Sequence, residues 1–391
     1  MPPDLDWDER QWELWCKQWD LEPNVIHLNH GSFGPAPRPV LAARQKWMTA
    51  LQRNPMDFFM RKLEKVLETV REKLATFVGA RPSELAFVEN ATTGMNVVAQ
   101  SFPLQPGDEV LLNDHEYGAV LRIWERACQR TGAKLVVASL PCPVVSEQQV
   151  VECLLEPVSP RTKLIVFSHI TSPTAIVMPV DALCREARRL NLAVAIDGPH
   201  APAVAALELN RWDCDYYTAS CHKWLCAPFG SGFLYVHPRR QAEVQPLVTS
   251  WGRTPEGKTP CWQDEFDWHG THDPSAQLSI ADSLSFFEQV GFESFREQTH
   301  SLAAWGRRKL TQLTGLPPLT PDSRQWFGSM TAIELPPGPA QPLQQALKQQ
   351  YNIEVPVFEW QNRRLLRLSC HLYNHPRDIE TLVAALPKFW R

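Results

Sequence analysis

The feature that most limits the possible folds of this 391-residue chain is a series of short apolar runs separated by longer helical stretches. Runs that are apolar at successive positions indicate strands buried on both faces, which is typical of a parallel sheet with crossover helices. We therefore predict an α/β fold with a mostly parallel sheet. The runs are Leu85–Val88, Val110–Leu112, Leu135–Val137, Leu164–Phe167, Ala193–Ile196, Tyr216–Ala219 and Phe233–Val236.

Helical patterns indicate how the chain is divided. A helix ending at Gly79 is predicted by apolar residues at the 3.6-residue period: Leu63, Val66, Leu67, Val70, Leu74 and Phe77. After about residue 275 long helices dominate, with few strands, among them Thr331–Leu335 and Leu365–Leu368. We expect a large α/β domain at residues 23–252 and a smaller α+β domain made of residues 1–22 and 253–391.

The N-terminal segment carries a stripe of tryptophans. Trp12, Trp15 and Trp19 are spaced i, i+3 and i+7, so we expect them on one face of a helix. Large aromatic side chains commonly anchor buried faces and interfaces. The stripe therefore predicts packing against a domain of the same chain or against a partner subunit.

Charge and composition exclude several classes of protein. With 39 Lys and Arg against 43 Asp and Glu, the net charge is −4, which disfavours binding to nucleic acid or to an anionic membrane. The apolar runs are shorter than the roughly 18 residues of a membrane span, and the acidic start lacks the pattern of a secretory signal. The ten cysteines have neither disulfide-framework nor zinc spacing. We expect reduced thiols and a cytoplasmic protein.

Candidate ligand-binding residues follow the strands, because open α/β sheets bind ligands at the carboxyl ends of their strands. The turn Glu89–Asn96, with the sequence ENATTGMN, follows the first run, and its backbone N–H groups and hydroxyls offer an anion site. Threonine at a helix start is also a common N-cap, so this segment alone is weak evidence. Asp197 directly follows Ala193–Ile196 and either caps a helix or holds a cationic partner.

A lysine follows another strand in an apolar setting. Lys223 lies in Ser220-Cys221-His222-Lys223-Trp224 and precedes the glycine-rich turn at 228–232. Desolvation lowers the pKa of a lysine and permits Schiff-base chemistry with a carbonyl. A zinc site of Cys221, His222 and Cys226 is an alternative, but it lacks a fourth ligand at recognisable spacing. A possible anion-binding turn, an aspartate and a lysine, all at the ends of strands, indicate a ligand site far more specifically together than any one of them does alone.

In these segments the sequence resembles the class V aminotransferase family of fold type I pyridoxal phosphate (PLP) enzymes, which includes cysteine desulfurases, cyst(e)ine C–S lyases and isopenicillin N epimerase. The resemblance runs from about Ile26 to Ser369. It implies the aspartate-aminotransferase-like fold, with a mostly parallel seven-stranded sheet, and PLP as the cofactor. The motifs resemble most the isopenicillin-N-epimerase-like branch at LNHGSFG (28–34), NP (54–55), ENATTGMN (89–96) and HEYGA (115–119).

The resemblance implies three catalytic residues. Lys223 would form the Schiff base with PLP and later move the Cα proton of the substrate. Asp197 would pair with the pyridinium nitrogen and keep the ring protonated as an electron sink. Tyr117 occupies the position of the ring that stacks on the cofactor, often a histidine, although a core tyrosine is the alternative.

Further contacts are implied around the phosphate and the substrate. Thr92, Thr93, Ser220 and His222 would hold the phosphate, with Thr271, in Gly270–Asp273, contributed by the second subunit of a homodimer. His200 would lie near the phenolic oxygen of the cofactor, and Ser172 stands where several relatives have asparagine, which puts that contact in doubt. Arg367 matches the arginine that binds the substrate α-carboxylate, with Arg363 and Arg364 as competitors. Asn29 and His30 are also placed with the substrate.

The type of reaction is less determined than the cofactor. The resemblance implies that desulfurases need a cysteine on a loop some 15 to 30 residues before the carboxylate arginine, and this chain has no cysteine between Cys261 and Cys370. We expect Cα deprotonation through a quinonoid intermediate on an amino-acid substrate, with epimerisation favoured over C–S lysis or transamination. A PLP-fold binding protein without activity is disfavoured because Lys223 and Asp197 are both present.

Overall fold

Three β-sheets organise the chain in a computed structural model that describes residue 5 and residues 7–252 and 259–390. The strands are β1 (Ile26–His27), β2 (Leu85–Val88), β3 (Glu109–Asn113), β4 (Lys134–Ala138), β5 (Thr162–Ser168), β6 (Ala193–Asp197), β7 (Tyr216–Ser220), β8 (Gly232–Val236), β9 (Met330–Leu335), β10 (Ile353–Glu354), β11 (Val357–Trp360) and β12 (Arg363–Ser369). The largest sheet has the order β2-β8-β7-β6-β5-β3-β4. Only β8 runs antiparallel to its neighbours in it. The predicted mostly parallel seven-stranded sheet is confirmed.

The edge strand β4 departs from the prediction that every run is buried on both faces. Lys134 is exposed, Val137 is 47% exposed, and only Ala138 is fully buried. β4 pairs with β3 alone, so one edge of the strand and part of one face meet solvent. The strands between the edges are buried along almost their whole length.

The described α-helices either cover the two faces of this sheet or pack in the C-terminal part of the chain. They are α1 (Glu9–Trp15), α2 (Arg38–Arg53), α3 (Pro55–Asp57), α4 (Leu63–Val78), α5 (Ala91–Ser101), α6 (Gly118–Thr131), α7 (Glu147–Leu155), α8 (Val180–Arg189), α9 (Leu209–Trp212), α10 (Asp264–Asp267), α11 (Ser275–Leu278), α12 (Ile280–Val290), α13 (Phe292–Thr314), α14 (Ala340–Tyr351) and α15 (Pro376–Ala385). The predicted end of α4 is confirmed, since Gly79 has a φ of 65° in the left-handed region. None of the helices described combines the length and apolar character needed to cross a membrane.

The alternation of side chains along β5 separates two apolar cores. Ile165 and Phe167 belong to the core that includes α4, α8 and α12, whereas Leu164 and Val166 belong to the core on the α5 and α6 face. Each large buried side chain contributes roughly 1.5–3 kcal/mol relative to exposure. This two-sided burial fixes the carboxyl ends of the central strands.

A smaller three-stranded antiparallel sheet, β11-β12-β9, lies in the C-terminal part of the chain, and β1 pairs in parallel with β10. Leu302, Trp305 and Leu366 belong to the separate core of this region. The predicted domain limits stay a prediction, and residues 253–258, where the second part of the small domain was expected to begin, lie outside the described residues.

The N-terminal tryptophans pack on the chain itself. The ring centroid of Trp12 lies 4.7 Å from that of His375, and the rings of Trp15 and Trp19 each lie 5.6 Å from Phe286. The prediction of one helical face was wrong for Trp19, because α1 ends at Trp15 and a 3₁₀ turn follows. Trp19 is turned inward by the extended backbone beyond that turn.

Candidate active site

A cavity of about 540 Å³ opens at the carboxyl ends of the central strands. Ser168, Asp197 and Ser220, the last residues of β5, β6 and β7, lie in its wall. A larger depression of about 920 Å³ between α7 and α8 is open to solvent, and none of its lining residues is buried. The cavity also collects most of the predicted site residues, namely Thr92, Thr93, Tyr117, Ser172, Asp197, His200, Ser220, His222, Lys223 and Arg367.

Lys223 occupies the turn after β7 and faces the cavity. Its Nζ lies 3.4 Å from Nε2 of His200. Burial lowers the pKa of Lys223 below its ordinary value, the charge of Arg367 lowers it further, and Asp197 acts in the opposite direction. The main chain is held close to Gly34, where a Cβ atom would lie 2.4 Å from the Lys223 carbonyl oxygen. The result is a fixed amine with a larger neutral fraction than that of an exposed lysine, which suits a nucleophile and a base.

Asp197 places a buried carboxylate at the end of β6. Thr218, on the neighbouring strand β7, donates a hydrogen bond from Oγ1 to Asp197 Oδ1 at 3.3 Å. Burial raises the pKa of Asp197, while Lys223 and the Thr218 hydrogen bond lower it. A carboxylate that lines a cavity in this setting is suited to accept a hydrogen bond from a cationic N–H group.

One end of the cavity is built to receive an anion. Asn90 caps α5, with Oδ1 accepting from the Thr93 N–H at 2.8 Å, and the Ala91 N–H donates to Ser220 Oγ at 3.0 Å. Thr92 and His222 line the same cavity. The positive end of the α5 dipole and these hydroxyls together favour a phosphate-like group.

The structure distinguishes the three candidate arginines. Arg367 Nη1 donates to the Ser172 carbonyl oxygen at 2.7 Å, and Nη2 donates to Ser32 Oγ at 2.8 Å. Arg363 instead pairs with Glu334 at 2.6 Å. Arg364 donates to the Pro339 carbonyl oxygen at 3.5 Å. Of the three, only Arg367 lines the cavity.

Arg367 and Tyr117 lie close enough to influence each other. Burial lowers the pKa of Arg367 to about 10, and the Tyr117 phenol acts in the opposite direction. Tyr117 is the N-cap of α6 and is 49% exposed, so it is not a core tyrosine. Its ring therefore remains available for contact with a ligand in the cavity.

Three predicted residues do not line the cavity. His30 is fully buried, with Nδ1 2.9 Å from the Tyr373 hydroxyl and Nε2 3.2 Å from the Lys223 carbonyl oxygen. This burial leaves His30 no direct contact with the cavity, and its place behind Lys223 supports the backbone of that turn. Asn29 has a buried Oδ1 that finds no partner among the described residues, and Thr271 is exposed.

Sequence reasoning missed Glu116 beside the site. It accepts hydrogen bonds from the Ser168 N–H at 2.8 Å, from Ser168 Oγ at 2.7 Å and from Asn113 Nδ2 at 2.6 Å. Burial raises the pKa of Glu116 to about 7. Its only signal in the sequence was its place between His115 and Tyr117 in a motif. Ser32 and Phe33, from the LNHGSFG motif, also line the cavity.

A buried cluster behind Lys223 contains possible metal ligands, His30, Cys226 and His371. Cys226 Sγ lies 3.5 Å from Nε2 of each histidine. However, the two imidazole rings are stacked, with centroids 3.9 Å apart and planes 13° apart. Lone pairs in nearly parallel planes cannot both point at one ion about 2 Å from each nitrogen. The arrangement fits hydrogen bonding by the thiol better than metal coordination.

The fold and the cavity together define a PLP enzyme of fold type I. Residues 29–382 match the family model described as Aminotransferase class-V, and the chain belongs to this family. The family is PLP-dependent, and the chain is therefore a PLP-dependent enzyme. The resemblance stated from the motifs is confirmed.

Particular relatives extend over nearly the whole chain. An isopenicillin N epimerase of Amycolatopsis lactamdurans is 38% identical, with 96% of this chain and 98% of the relative covered. One of Streptomyces clavuligerus is 35% identical over 97% of this chain and 98% of the relative. A probable chloroplastic L-cysteine desulfhydrase of Arabidopsis thaliana is 26% identical over 93% of this chain and 83% of the relative.

Solved structures agree on the fold. A mutant of C-DES with glycine covalently linked to its PLP cofactor superposes with a TM-score of 0.82 at 22% identity, over 98% of this chain and 99% of that one. The Escherichia coli cysteine desulfurase CsdA gives a TM-score of 0.79 at 20% identity, over 97% of this chain and 98% of that one. At such identities these likenesses show the fold alone.

Proposed function

We propose that this chain is an amino-acid epimerase of the isopenicillin-N-epimerase type. The observation that carries the proposal is the 38% identity to an isopenicillin N epimerase over 96% of this chain and 98% of the relative. The cavity is compatible with it, since it offers the amine of Lys223 and an arginine at Arg367 for an amino-acid carboxylate. None of the residues described as lining the cavity is a cysteine.

The residues of the cavity fit PLP. Thr92, Ser220 and His222, at the start of α5 and after β7, would hold its phosphate, and Asp197 would accept a hydrogen bond from its ring nitrogen. The amine of Lys223 would be its attachment point. When bound, PLP supplies an electron sink that stabilises negative charge at the substrate Cα.

We assign substrate binding and proton transfer to particular residues of this chain. Arg367 would bind the α-carboxylate through the two-pronged geometry of its guanidinium. Lys223, whose pKa is lowered at this site, would take the Cα proton at Nζ in its neutral form. Epimerisation also needs a proton delivered from the other side of Cα, and the Tyr117 hydroxyl, close to Arg367 and half exposed, is the group we propose for that step.

C–S lysis is the second candidate, because a probable L-cysteine desulfhydrase is 26% identical over 93% of this chain. A persulfide-forming desulfurase is disfavoured. Cys370 is fully buried, and Cys261, although exposed, hydrogen bonds through Sγ to Asp264. Neither thiol lines the cavity.

One experiment separates these reactions. The PLP-loaded enzyme is incubated in deuterated water with a panel of amino acids, and Cα deuterium, configuration, pyruvate and sulfide are recorded. Deuterium with inversion and without pyruvate supports the epimerase. Pyruvate with sulfide supports the lyase, and a keto acid without either supports transamination. The absence of Cα exchange with every substrate would contradict the proposal.

We also propose a homodimer whose second subunit contributes Thr271 to the phosphate. The proposal rests on the family resemblance and on the exposure of Thr271 away from the cavity of its own chain. A cytoplasmic location is proposed on a different ground. All ten cysteines are free, as expected for a chain that works in a reducing compartment.

A further inference from the structure

Trp224, the residue after Lys223, connects to the lysine through His200. The indole Nε1–H of Trp224 donates a hydrogen bond to Nδ1 of His200 at 3.3 Å. On the other side of the imidazole, Nε2 lies 3.4 Å from Lys223 Nζ. Trp224 is fully buried and His200 is 2% exposed, so water does not compete for the indole–imidazole contact, whereas the contact with Lys223 is partly buried at the cavity wall.

The chemistry of the three groups fixes where the proton of His200 lies. An indole N–H can only donate, so Nδ1 of His200 must present its lone pair. Burial lowers the pKa of His200 well below its ordinary value, and the charges of Lys223 and Arg367 lower it further, so the ring is neutral. A neutral imidazole without a proton on Nδ1 carries it on Nε2.

The Nε2–H group of His200 then points at Lys223 Nζ. An ammonium has three donors and no lone pair, so it cannot accept this hydrogen bond. A neutral amine can accept it. The other charged groups that act on Lys223 are Arg367, which also favours the neutral amine, and Asp197, which favours the ammonium.

We infer that Trp224 is a positioning residue that holds His200 in the Nε2–H tautomer and thereby favours the neutral, nucleophilic form of the Lys223 amine. The His200 tautomer follows from the contacts within this chain and does not depend on the reaction that the enzyme catalyses. Its value to catalysis rests on the proposed function, because that function makes Lys223 the reactive amine. The indole thus does more than fill the core next to the lysine.

The first test reads the tautomer directly in the full-length protein. The histidine rings are labelled with ¹⁵N, and the His200 signals are assigned by their loss in His200→Gln. We expect an unprotonated Nδ1 and a protonated Nε2 in the wild type, with and without PLP. A proton on Nδ1 would overturn the inference, whatever reaction the enzyme catalyses and however the variants below behave.

The second test measures how the reactivity of the Lys223 amine depends on pH. The rate at which the full-length protein freed of PLP binds added PLP at Lys223 is followed by absorbance as a function of pH. Trp224→Phe should raise the pH of half-maximal rate by about one unit. Below that midpoint, such a shift corresponds to a roughly tenfold smaller fraction of neutral Lys223 amine. The matched control is Trp124→Phe, since Trp124 is equally buried and its indole donates to the Met95 sulfur. An equal shift in the control would refute the role of Trp224.

A double variant separates the tautomer from packing. A phenylalanine ring at position 200 has no nitrogen that the Trp224 indole could orient. Trp224→Phe should therefore shift the midpoint in the wild-type background and leave it unchanged in His200→Phe. The same shift in both backgrounds would show that the tryptophan acts through packing alone and would overturn the inference.

Discussion

Replacing Arg367 by alanine tests the proposed binding of the substrate carboxylate. The guanidinium is held by Ser172 and Ser32 at 2.7–3.1 Å, and its Nε is buried and finds no partner among the described residues. The pre-positioned group would form two charge-assisted hydrogen bonds with a carboxylate, each worth roughly 1.5–3 kcal/mol. A loss of about 4 kcal/mol corresponds to a roughly thousand-fold weaker apparent affinity.

The assay titrates the PLP-loaded enzyme with an amino acid that undergoes Cα exchange in the wild type, and follows the cofactor absorbance. Arg363→Ala is the matched control, because Arg363 lies four residues away on β12 and pairs with Glu334. It should leave the affinity within about twofold, as expected for a change outside the cavity. Unchanged affinity in Arg367→Ala together with weakened affinity in Arg363→Ala would refute the assignment.

The same variant has a second, independent signature. The Arg367 charge lowers the pKa of Lys223. Its removal should raise that pKa, so the pH at which the free enzyme binds added PLP at half its maximal rate should move upward. A midpoint that stays in place, or falls, would contradict the electrostatic link between the two side chains.

Four further predictions follow from the site and the core. Borohydride reduction should fix PLP on Lys223, and mass spectrometry that locates it on another lysine would contradict the attachment point. Asp197→Ala should lower turnover by roughly 10²–10³-fold, since an electrostatic group of this kind supplies about 3–4 kcal/mol, and near-normal turnover would refute its role. Burial lowers the pKa of His169 from 6.5 to about 3. Between these two pH values the unfolded chain takes up a proton that the folded chain does not, so the free energy of unfolding falls as the pH is lowered below 6.5. His169→Phe should make this decrease between about pH 6 and 4 shallower by up to about 1.4 kcal/mol per pH unit. Mixing Thr271→Ala with Lys223→Ala subunits should restore activity if Thr271 acts across the dimer, and activity no greater than the sum of the parents would indicate action within one chain.

Much of the large sheet could be predicted because its signal is local. A strand buried on both faces must be apolar at successive positions, and the run Leu85–Val88 coincides with β2. The edge strand β4 was the exception, since the sequence does not state which run lies at the edge. Asp197 and Lys223 could be associated because parallel strands bring their carboxyl ends to one side of the sheet.

The choice among the arginines required the tertiary structure. Arg363 and Arg367 are four residues apart on β12, and a period of two places both on the same face of the strand. They differ in what lies opposite them. Glu334 on β9 pairs with Arg363, whereas Ser32 and Ser172, from distant segments, surround Arg367.

The sequence by itself therefore determined the sheet, the cofactor chemistry and the two residues, Asp197 and Lys223, that end or follow its strands. Only the tertiary structure decided the partners of those residues. It placed His30 behind Lys223, out of the cavity, and it set His200 between Trp224 and Lys223. The physical reason is that apolar periodicity records burial along one segment, whereas hydrogen-bond partners and charges come from segments whose contact depends on the packing of the whole chain.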